Sequence, residues 1–506
     1  FGSSISGLLA RVGTGQPSMC LLKQLSAAKM QSLSSLILAT TAGVALGGNV
    51  VSNSQSAFVH LFEWSWGDVA QECEQWLGPK GFKAVQVSPP TEHIQGAAWW
   101  TRYQPVTYNL ISRSGNETEF ASMVQRCKEA GVDIYVDAVF NHIAAGSGTA
   151  IGGSKYGGRA TPIYSPQDMH HSDGDVGKNC GVSDFRDKHN VQYCDLVGLP
   201  DLCTSCDYVK KTVVAFINHL ADLGVAGIRI DAAKHQDAEE LGSLLSAANT
   251  SLFCFQEVIS GVGEAITPEM YTNNGAVTEF NYARQLAPNF LDEGKLQFFD
   301  GFGEKWGFLA SDKAVVFLDN HDTQRGEAKL TYKNGGLYQL ANIFMLAHPY
   351  GYPKVMSSYA FAGTDDGPPS SPVHSDGGVA CSAGPGQDAP WICEHRWTAI
   401  ANMAAWRRSA GTSPVGSFQK MAADVIVFCR GQTACVALNR LSSPWSGNAK
   451  LSLPGGSYCN VIESDDTSSC PQVQVNLDGS VNLQIPAMSA VALHTGKQAN
   501  TTLILT

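Results

Sequence analysis

Four short stretches of this chain place acidic and basic side chains where apolar runs end. "GIRIDAAKH" (227–235) sets Arg229 inside a strand-like run and Asp231, Lys234 and His235 at its exit. "FQEV" (255–258) carries Glu257, "FLDNHD" (317–322) ends on His321 and Asp322, and "DAVFNH" (137–142) on Asn141 and His142. Carboxylates are the residues of general acid–base and nucleophilic chemistry, and crowding them forces one member to keep its proton. One acidic strand end is unremarkable. Several gathered on one rim point to acid–base work on a bound substrate.

The surrounding pattern says what must hold them. Eight strand-like segments follow one another: 57–62, 83–90, 133–142, 227–235, 252–258, 276–281, 314–322 and 354–359. Helical patterns such as "FASMVQRCKEAG" (120–131) lie between several of them. That alternation predicts an α/β fold, a (β/α)8 (TIM) barrel over 57–142 and 207–411, whose sites form at the carboxyl ends of the strands. Residues 143–206 are too long for a plain loop and are rich in Gly, Ser, Asp and His, so they read as a small inserted domain after strand three. From 412 to 506, short alternating runs such as "DVIVFCRG" and "TACVALNR" predict a C-terminal all-β, Greek-key-like sandwich. Alternation along a strand puts Arg229 on one face with Asp231, and by the same rule Asn320 with Asp322. Both Arg229 and Asn320 are therefore expected one layer below the carboxylates. A buried arginine needs a partner, for which an internal carboxylate is the plainest choice.

The whole chain narrows the class. Its 506 residues with formal charge −11 argue against nucleic acid as the main partner. No apolar run reaches the roughly 20 residues that span a bilayer. Lys23 and Lys29 precede "MQSLSSLILATTAGVALGG", which starts at Met30 and reads as a secretory signal with cleavage near Gly47–Ala57. Residues 1–56 are thus expected to be a leader, with 1–29 upstream of the true start. Fourteen cysteines fit a secreted, extracellular protein. Sequons at Asn116, Asn249 and Asn500 are compatible with that route.

Taken together in order, "DAVFNH", "GIRIDAAKH", "FQEV" and "FLDNHD" resemble the four sequence regions of α-amylases in the retaining α-glucan hydrolase family (glycoside hydrolase family 13). "HLFEWSW" (60–66), "GFKAVQVSPP" (81–90), "WWTRYQPVTYNL" (99–110) and "AHPYGYPKVMSSY" (347–359) extend the resemblance, which is to the chloride-dependent, animal-type branch. The resemblance implies Asp231 as nucleophile, Glu257 as general acid/base and Asp322 as the third carboxylate. It implies sugar contacts from Trp99, Trp100, Tyr103, Gln104, His142, Lys234 and His321. It implies a structural Ca2+ held by the side chains of Asn141 and Asp201 and the carbonyls of Gln192 and His235, with Gln192 standing where the family often has arginine. It implies a Cl− held by Arg229, Asn320 and Lys354. Lys354 replaces the arginine common in that branch, so chloride dependence is expected to be weaker or altered. The anion is expected to offset the pull of Arg229 on Glu257, so that losing it moves the pH optimum down. "TQRGEAKLTYKNGG" (323–336) is shorter than the glycine-rich loop of mammalian members and lacks its motif.

Family spacing implies the disulfides Cys73–Cys127, Cys180–Cys194, Cys381–Cys393 and Cys459–Cys470. Cys429 and Cys435 can bridge locally. "CTSC" reads as a redox or half-zinc motif or, since zinc needs four ligands, as a local Cys203–Cys206 disulfide that leaves Cys254 a buried thiol. The expected function is a secreted, monomeric, endo-acting hydrolase of internal α-1,4 links in starch, glycogen and malto-oligosaccharides. A transglycosylase or an exo-acting α-glucosidase on the same scaffold is the alternative, and a non-catalytic carbohydrate-binding relative a remote one.

Overall fold

The computed structural model describes residues 55–171, 181–291 and 294–499. The leader expected over 1–56 lies outside them, apart from its last two residues. Eight parallel strands close into a barrel: β1 (Phe58–Leu61), β2 (Ala84–Val87), β3 (Asp133–Ala138), β4 (Gly227–Ile230), β5 (Phe253–Gln256), β6 (Ala276–Thr278), β7 (Ala314–Val316) and β8 (Tyr352–Ser357). Neighbours in the chain are neighbours in the ring, and β8 pairs with β1, placing Phe58 opposite Lys354. The strands read as near-continuous apolar runs because helices cover the outside while the barrel fills its own interior.

The interior is layered. Phe58, Tyr135, Phe253, Phe255 and Tyr352 pack into an apolar floor. Two residues further along their strands, His60, Gln86, Asp137, Arg229 and Lys354 form a polar layer that is buried throughout. Period-two alternation makes this inevitable: a strand that sends Phe58 inward also sends His60 inward, and the same holds for Tyr135 with Asp137.

Each predicted strand ends earlier than the apolar run suggested. The chemically interesting residues sit just past the last hydrogen-bonded pair, in turns. This corrects one expectation. Asn320 and Asp322 lie beyond β7, in a turn, so strand alternation does not relate them. Asn320 instead caps the turn, its Oδ1 accepting from the N–H groups of Asp322 (3.0 Å) and Thr323 (2.7 Å).

Between β3 and β4 the chain makes a short hairpin, Ser147–Thr149 with Lys155–Gly157, and a helix, Lys188–Tyr193. The return stretch hydrogen-bonds to the exit of β3: Leu202 N–H donates to the Asn141 carbonyl (2.9 Å) and Ile143 N–H to that of Pro200 (3.1 Å). The helix Asp207–Asp222 then buries Val209, Val213, Phe216, Ile217 and Leu220, a stripe at helical spacing, before entering β4.

Beyond the helix Thr398–Ala410 the chain is all β. Val415–Ala422, Val425–Arg430, Ala434–Asn439 and Ser489–His494 make one antiparallel sheet. Val425, Val427 and Cys429 face a core shared with Val481, Leu483 and Ile485, while Ile426 and Phe428 turn to the barrel-side core. Disulfides join Cys73–Cys127, Cys203–Cys206, Cys381–Cys393, Cys429–Cys435 and Cys459–Cys470, and Cys254 is free. Cys194 is also disulfide-bonded; its expected partner Cys180 lies outside the described residues. Among the described residues no helix is long and apolar enough to cross a membrane.

Candidate active site

A pocket of about 610 Å³ opens at the carboxyl end of the barrel. Asp231, Glu257 and Asp322 line it, together with Trp99, Trp100, Tyr103, Gln104, His142, Lys234 and His235. These residues come from turns after five different strands, so only barrel closure brings them together.

One guanidinium organises the base. Arg229 Nη1 donates to Asp137 Oδ1 (2.5 Å) and Asp231 Oδ1 (2.9 Å). Its Nη2 lies 2.6 Å from Glu257 Oε1, yet out of hydrogen-bond alignment. Burial works against its charge, but Asp137, Glu257 and Asp231 outweigh burial and keep Arg229 firmly protonated. Asp137 was not singled out from the sequence. It is fully buried on β3, accepts from Tyr103 Oη (2.9 Å), and is drawn upward in pKa chiefly by burial.

The turn after β4 is strained. Ala232 has φ 48°, a left-handed conformation rare for a residue with a Cβ. The Ala232 N–H donates to Glu257 Oε2 (2.9 Å). Burial pushes Asp231 well above the ordinary carboxylate range, with Arg229 pulling the other way and Glu257 adding to the rise. Asp322 is pushed up to about 7, first by burial and then by Glu257. Its side chain is 38% exposed to the pocket, so water there tempers the effect. Asp137, Asp231 and Glu257 thus share one arginine, with Asp322 close by. They cannot all be ionised cheaply, and a cluster that retains a proton is what acid–base chemistry requires.

One wall is aromatic, with Trp99, Trp100 and Tyr103 side by side. The Trp99 indole donates to the Thr364 carbonyl (2.8 Å) and that of Trp100 to Asp365 Oδ1 (3.2 Å), which fixes both rings. His321 is buried, stacks on Tyr103 (5.1 Å, 12°) and has Nε2 3.1 Å from Asp322 Oδ2. Gln104 Oε1 accepts from the Ala145 N–H (3.2 Å). Lys234 Nζ pairs with Glu264 Oε2 (2.6 Å) and sits 4.3 Å from the Phe185 ring. Glu264 and Phe185, with Leu196, Val197 and Leu199, also line the pocket and went unnoticed in the sequence, where nothing distinguishes them from ordinary loop residues.

His142 has both ring nitrogens occupied, Nε2 against the Tyr103 carbonyl (2.8 Å) and Nδ1 against Asn141 Nδ2 (3.2 Å). Burial lowers it to about 4, so it is neutral. Holding the amide nitrogen leaves Asn141 Oδ1 buried without a partner. The backbone of Asp201 pairs with that of His142 in an isolated antiparallel β-bridge, and burial raises the Asp201 carboxyl to about 7. His170 Nδ1 stands 2.5 Å from its carboxylate. On the other side, His235 Nδ1 contacts the Val191 carbonyl (2.9 Å), and Gln192 Nε2 donates to the Gln236 carbonyl (3.1 Å). An orphaned amide oxygen beside a carboxylate held up by burial fits an oxygen-seeking cation. Among the described residues no group of three or more His, Cys, Asp or Glu side chains could hold a metal, so such a cation would depend on amide and carbonyl oxygens.

Lys354 lies in the polar layer, 2% exposed. Its Nζ reaches Gln86 Oε1 at 3.4 Å and the Phe317 ring at 4.9 Å, and among the described residues it makes no ion pair. Burial, followed by repulsion from Arg229, lowers it to about 8. A buried ammonium without a carboxylate beside a misaligned guanidinium nitrogen fits a small anion.

Known proteins resemble this chain in sequence and in fold. Residues 75–244 match the α-amylase catalytic domain and residues 417–496 the α-amylase C-terminal all-β domain. The chain is 41% identical over 470 residues to an α-amylase of Streptomyces violaceus, covering 91% of this chain and 78% of that protein. It is 42% identical over 443 residues to an α-amylase-related protein of Drosophila pseudoobscura pseudoobscura, covering 81% of this chain and 86% of the relative. The crystal structure of α-amylase I from Eisenia fetida superposes with TM-score 0.80 at 35% identity, over 88% of this chain and 99% of that one. A mutant of the same earthworm enzyme in complex with maltohexaose matches equally well.

Proposed function

Because the chain belongs to the α-amylase family of glycoside hydrolases, we propose that it is a secreted, endo-acting α-amylase that cleaves internal α-1,4 links of starch and glycogen with retention. The observation that carries this reading is the shared grip of Arg229 on Asp231 and Glu257 at the base of an aromatic-walled pocket. Retaining chemistry wants its two carboxyl groups about 5–5.5 Å apart, inverting chemistry about 6.5–9.5 Å. One guanidinium lying 2.9 Å from the first and 2.6 Å from the second keeps the two carboxyls close together, as the retaining route needs.

In this reading Asp231, steadied as an anion by Arg229, attacks the anomeric carbon. Glu257, oriented by the Ala232 N–H, gives its proton to the leaving oxygen. It then takes one from water, which releases the sugar from Asp231. Asp322 and His321 hold hydroxyls of the ring at the bond to be cut, and Trp99, Trp100 and Tyr103 receive apolar sugar faces. Lys234, Gln104 and His142 shape the remaining wall. A starch digest with product analysis tests it. A rapid fall in iodine staining with mixed oligosaccharides supports endo-hydrolysis. Slow loss of staining with only glucose or maltose indicates an exo-acting enzyme, and products longer than the substrate a transglycosylase. No products at all would leave a carbohydrate-binding relative.

Calcium, if held by Asn141, Asp201 and the carbonyls of Gln192 and His235, would bind the inserted segment to the exits of β3 and β4 and stabilise the fold. Calcium a hundredfold above its Kd contributes about 2.7 kcal/mol. EDTA is therefore expected to lower the thermal midpoint, and an unchanged midpoint would count against the site.

Chloride, if held by Arg229, Lys354 and the amide of Asn320, would balance the charge of Arg229 beneath the carboxylates. Lysine brings a pH dependence that arginine would not. Anion binding needs the charged ammonium, and Lys354 is lowered to about 8. The half-saturating chloride concentration is expected to be flat at acidic and neutral pH and to rise above about 8, approaching tenfold per pH unit. A value constant from pH 6 to 10 would remove Lys354 from the anion's partners.

A further inference from the structure

Arg325 takes no part in the chemistry above and does not line the pocket, yet it connects two of its walls. Asp322 opens a short 3-10 turn, Thr323–Arg325, in which Arg325 N–H donates to the Asp322 carbonyl (3.0 Å). The side chain folds back, and Nη1 donates to the His321 carbonyl (2.6 Å). The guanidinium then lies among four rings, 4.3 Å from Phe361, 5.2 Å from Trp99, 5.3 Å from Tyr359 and 5.4 Å from Phe62. Among the described residues it forms no ion pair, and its Nε and Nη2 are buried without a well-aligned hydrogen bond, though the Tyr359 hydroxyl stands close enough to interact with the guanidinium. A desolvated cation without a carboxylate is costly unless ring faces compensate it.

The four rings are not generic core. Trp99 lines the pocket, Phe62 packs on His321 (5.0 Å), and Phe361 lies three residues before Thr364, the carbonyl that holds the Trp99 indole. Lys333, further along the same loop, lies 3.9 Å over Phe361. One cation therefore touches both the backbone of the Asp322 turn and the back of the Trp99 wall.

We propose that Arg325 is a positioning residue whose guanidinium, seated among Phe62, Trp99, Tyr359 and Phe361, couples the turn that carries Asp322 to the aromatic wall of the cleft. The proposal deepens the α-amylase reading and rests on it. Asp322 is faced by Glu257, Arg229, Asp137, His321, Tyr103, Lys354 and Arg325. Arg325 opposes the rise that burial and Glu257 impose, so it also helps Asp322 accept sugar hydroxyls as an anion.

The test compares Arg325→Met, close in volume but neutral, with Arg325→Lys, which keeps the charge. Both are measured on starch across pH, with thermal midpoints. Arg325→Met is expected to lower kcat/KM about 100-fold, the size of effect that slight misplacement of a reacting group produces, and to move the acid limb of the profile to higher pH. Arg325→Lys should restore at least tenfold of the loss and return the limb. A folded Arg325→Met enzyme within threefold of the unchanged protein overturns the proposal. So does a loss with an unmoved limb and no rescue by lysine, which would mark a purely structural role. If Arg325→Met does not fold, the lysine variant decides: activity within about tenfold and an unmoved limb support the proposal, and a larger loss overturns it. An unmodified chain that is inert on starch would instead sink the α-amylase reading itself.

Discussion

Asp231→Asn and Glu257→Gln are each expected to cut starch hydrolysis by about 10⁴-fold or more, the scale of loss when a nucleophile or its partner acid/base is removed. Neither change should unfold the protein. Asparagine and glutamine keep the shape, and Arg229 Nη1 can still donate to an amide oxygen in place of the carboxylate it meets at 2.9 Å. Asp231→Asn also takes one negative charge out of a buried cluster that burial already disfavours, so its thermal midpoint should hold or rise. The two roles separate on an activated aryl glycoside, whose leaving group departs without a proton. Glu257→Gln should recover most of the first step there, whereas Asp231→Asn should recover none because no bond to the anomeric carbon can form. A well-folded Glu257→Gln enzyme with normal turnover on starch would end the assignment.

Arg229→Met is the second large effect, on stability as well as rate. The arginine is the shared counter-charge of Asp137, Asp231 and Glu257, all within hydrogen-bond or ion-pair reach and all buried. Removing one partner of a buried pair typically costs about 3–5 kcal/mol, because the other is left uncompensated. The sign of the pH dependence follows. Without Arg229 the buried carboxyls bind protons more tightly folded than unfolded, so the variant loses stability as pH rises. The difference between the two proteins should be small near pH 5 and largest at and above neutrality. Adding Asp137→Asn should return part of the loss, since it removes one of the stranded charges. Denaturant melts at pH 5 and pH 8 check this, and an equal difference at both, or one below about 1 kcal/mol, would show that Arg229 is not the charge balance of the barrel interior.

Much of this was legible in the residues themselves. The eight apolar runs appear as eight strands in the expected order, because a parallel strand buried on both faces has little choice of composition. The exits of β4 and β5 set Asp231 and Glu257 at the rim, and both line the pocket there. Period two placed Arg229 under Asp231, and the structure joins them. The same rule failed for Asn320 and Asp322, because β7 ends at Val316 and a capped turn, not a strand, carries them.

Local pattern thus determined which segments are strands, which side of each faces inward, and which residues stand at the rim. It did not determine who meets whom across the ring. Asp137 looked like one polar residue inside "DIYVDA", and only barrel closure sets it against Arg229, 92 residues away. The pairing of Lys234 with Glu264, the ring cage around Arg325 and the carboxylate-free burial of Lys354 are of the same kind. Periodicity is a property of one strand and is written along the chain. A partner across a barrel depends on how eight strands tilt and close, and that is decided only when the last of them, β8, pairs with the first.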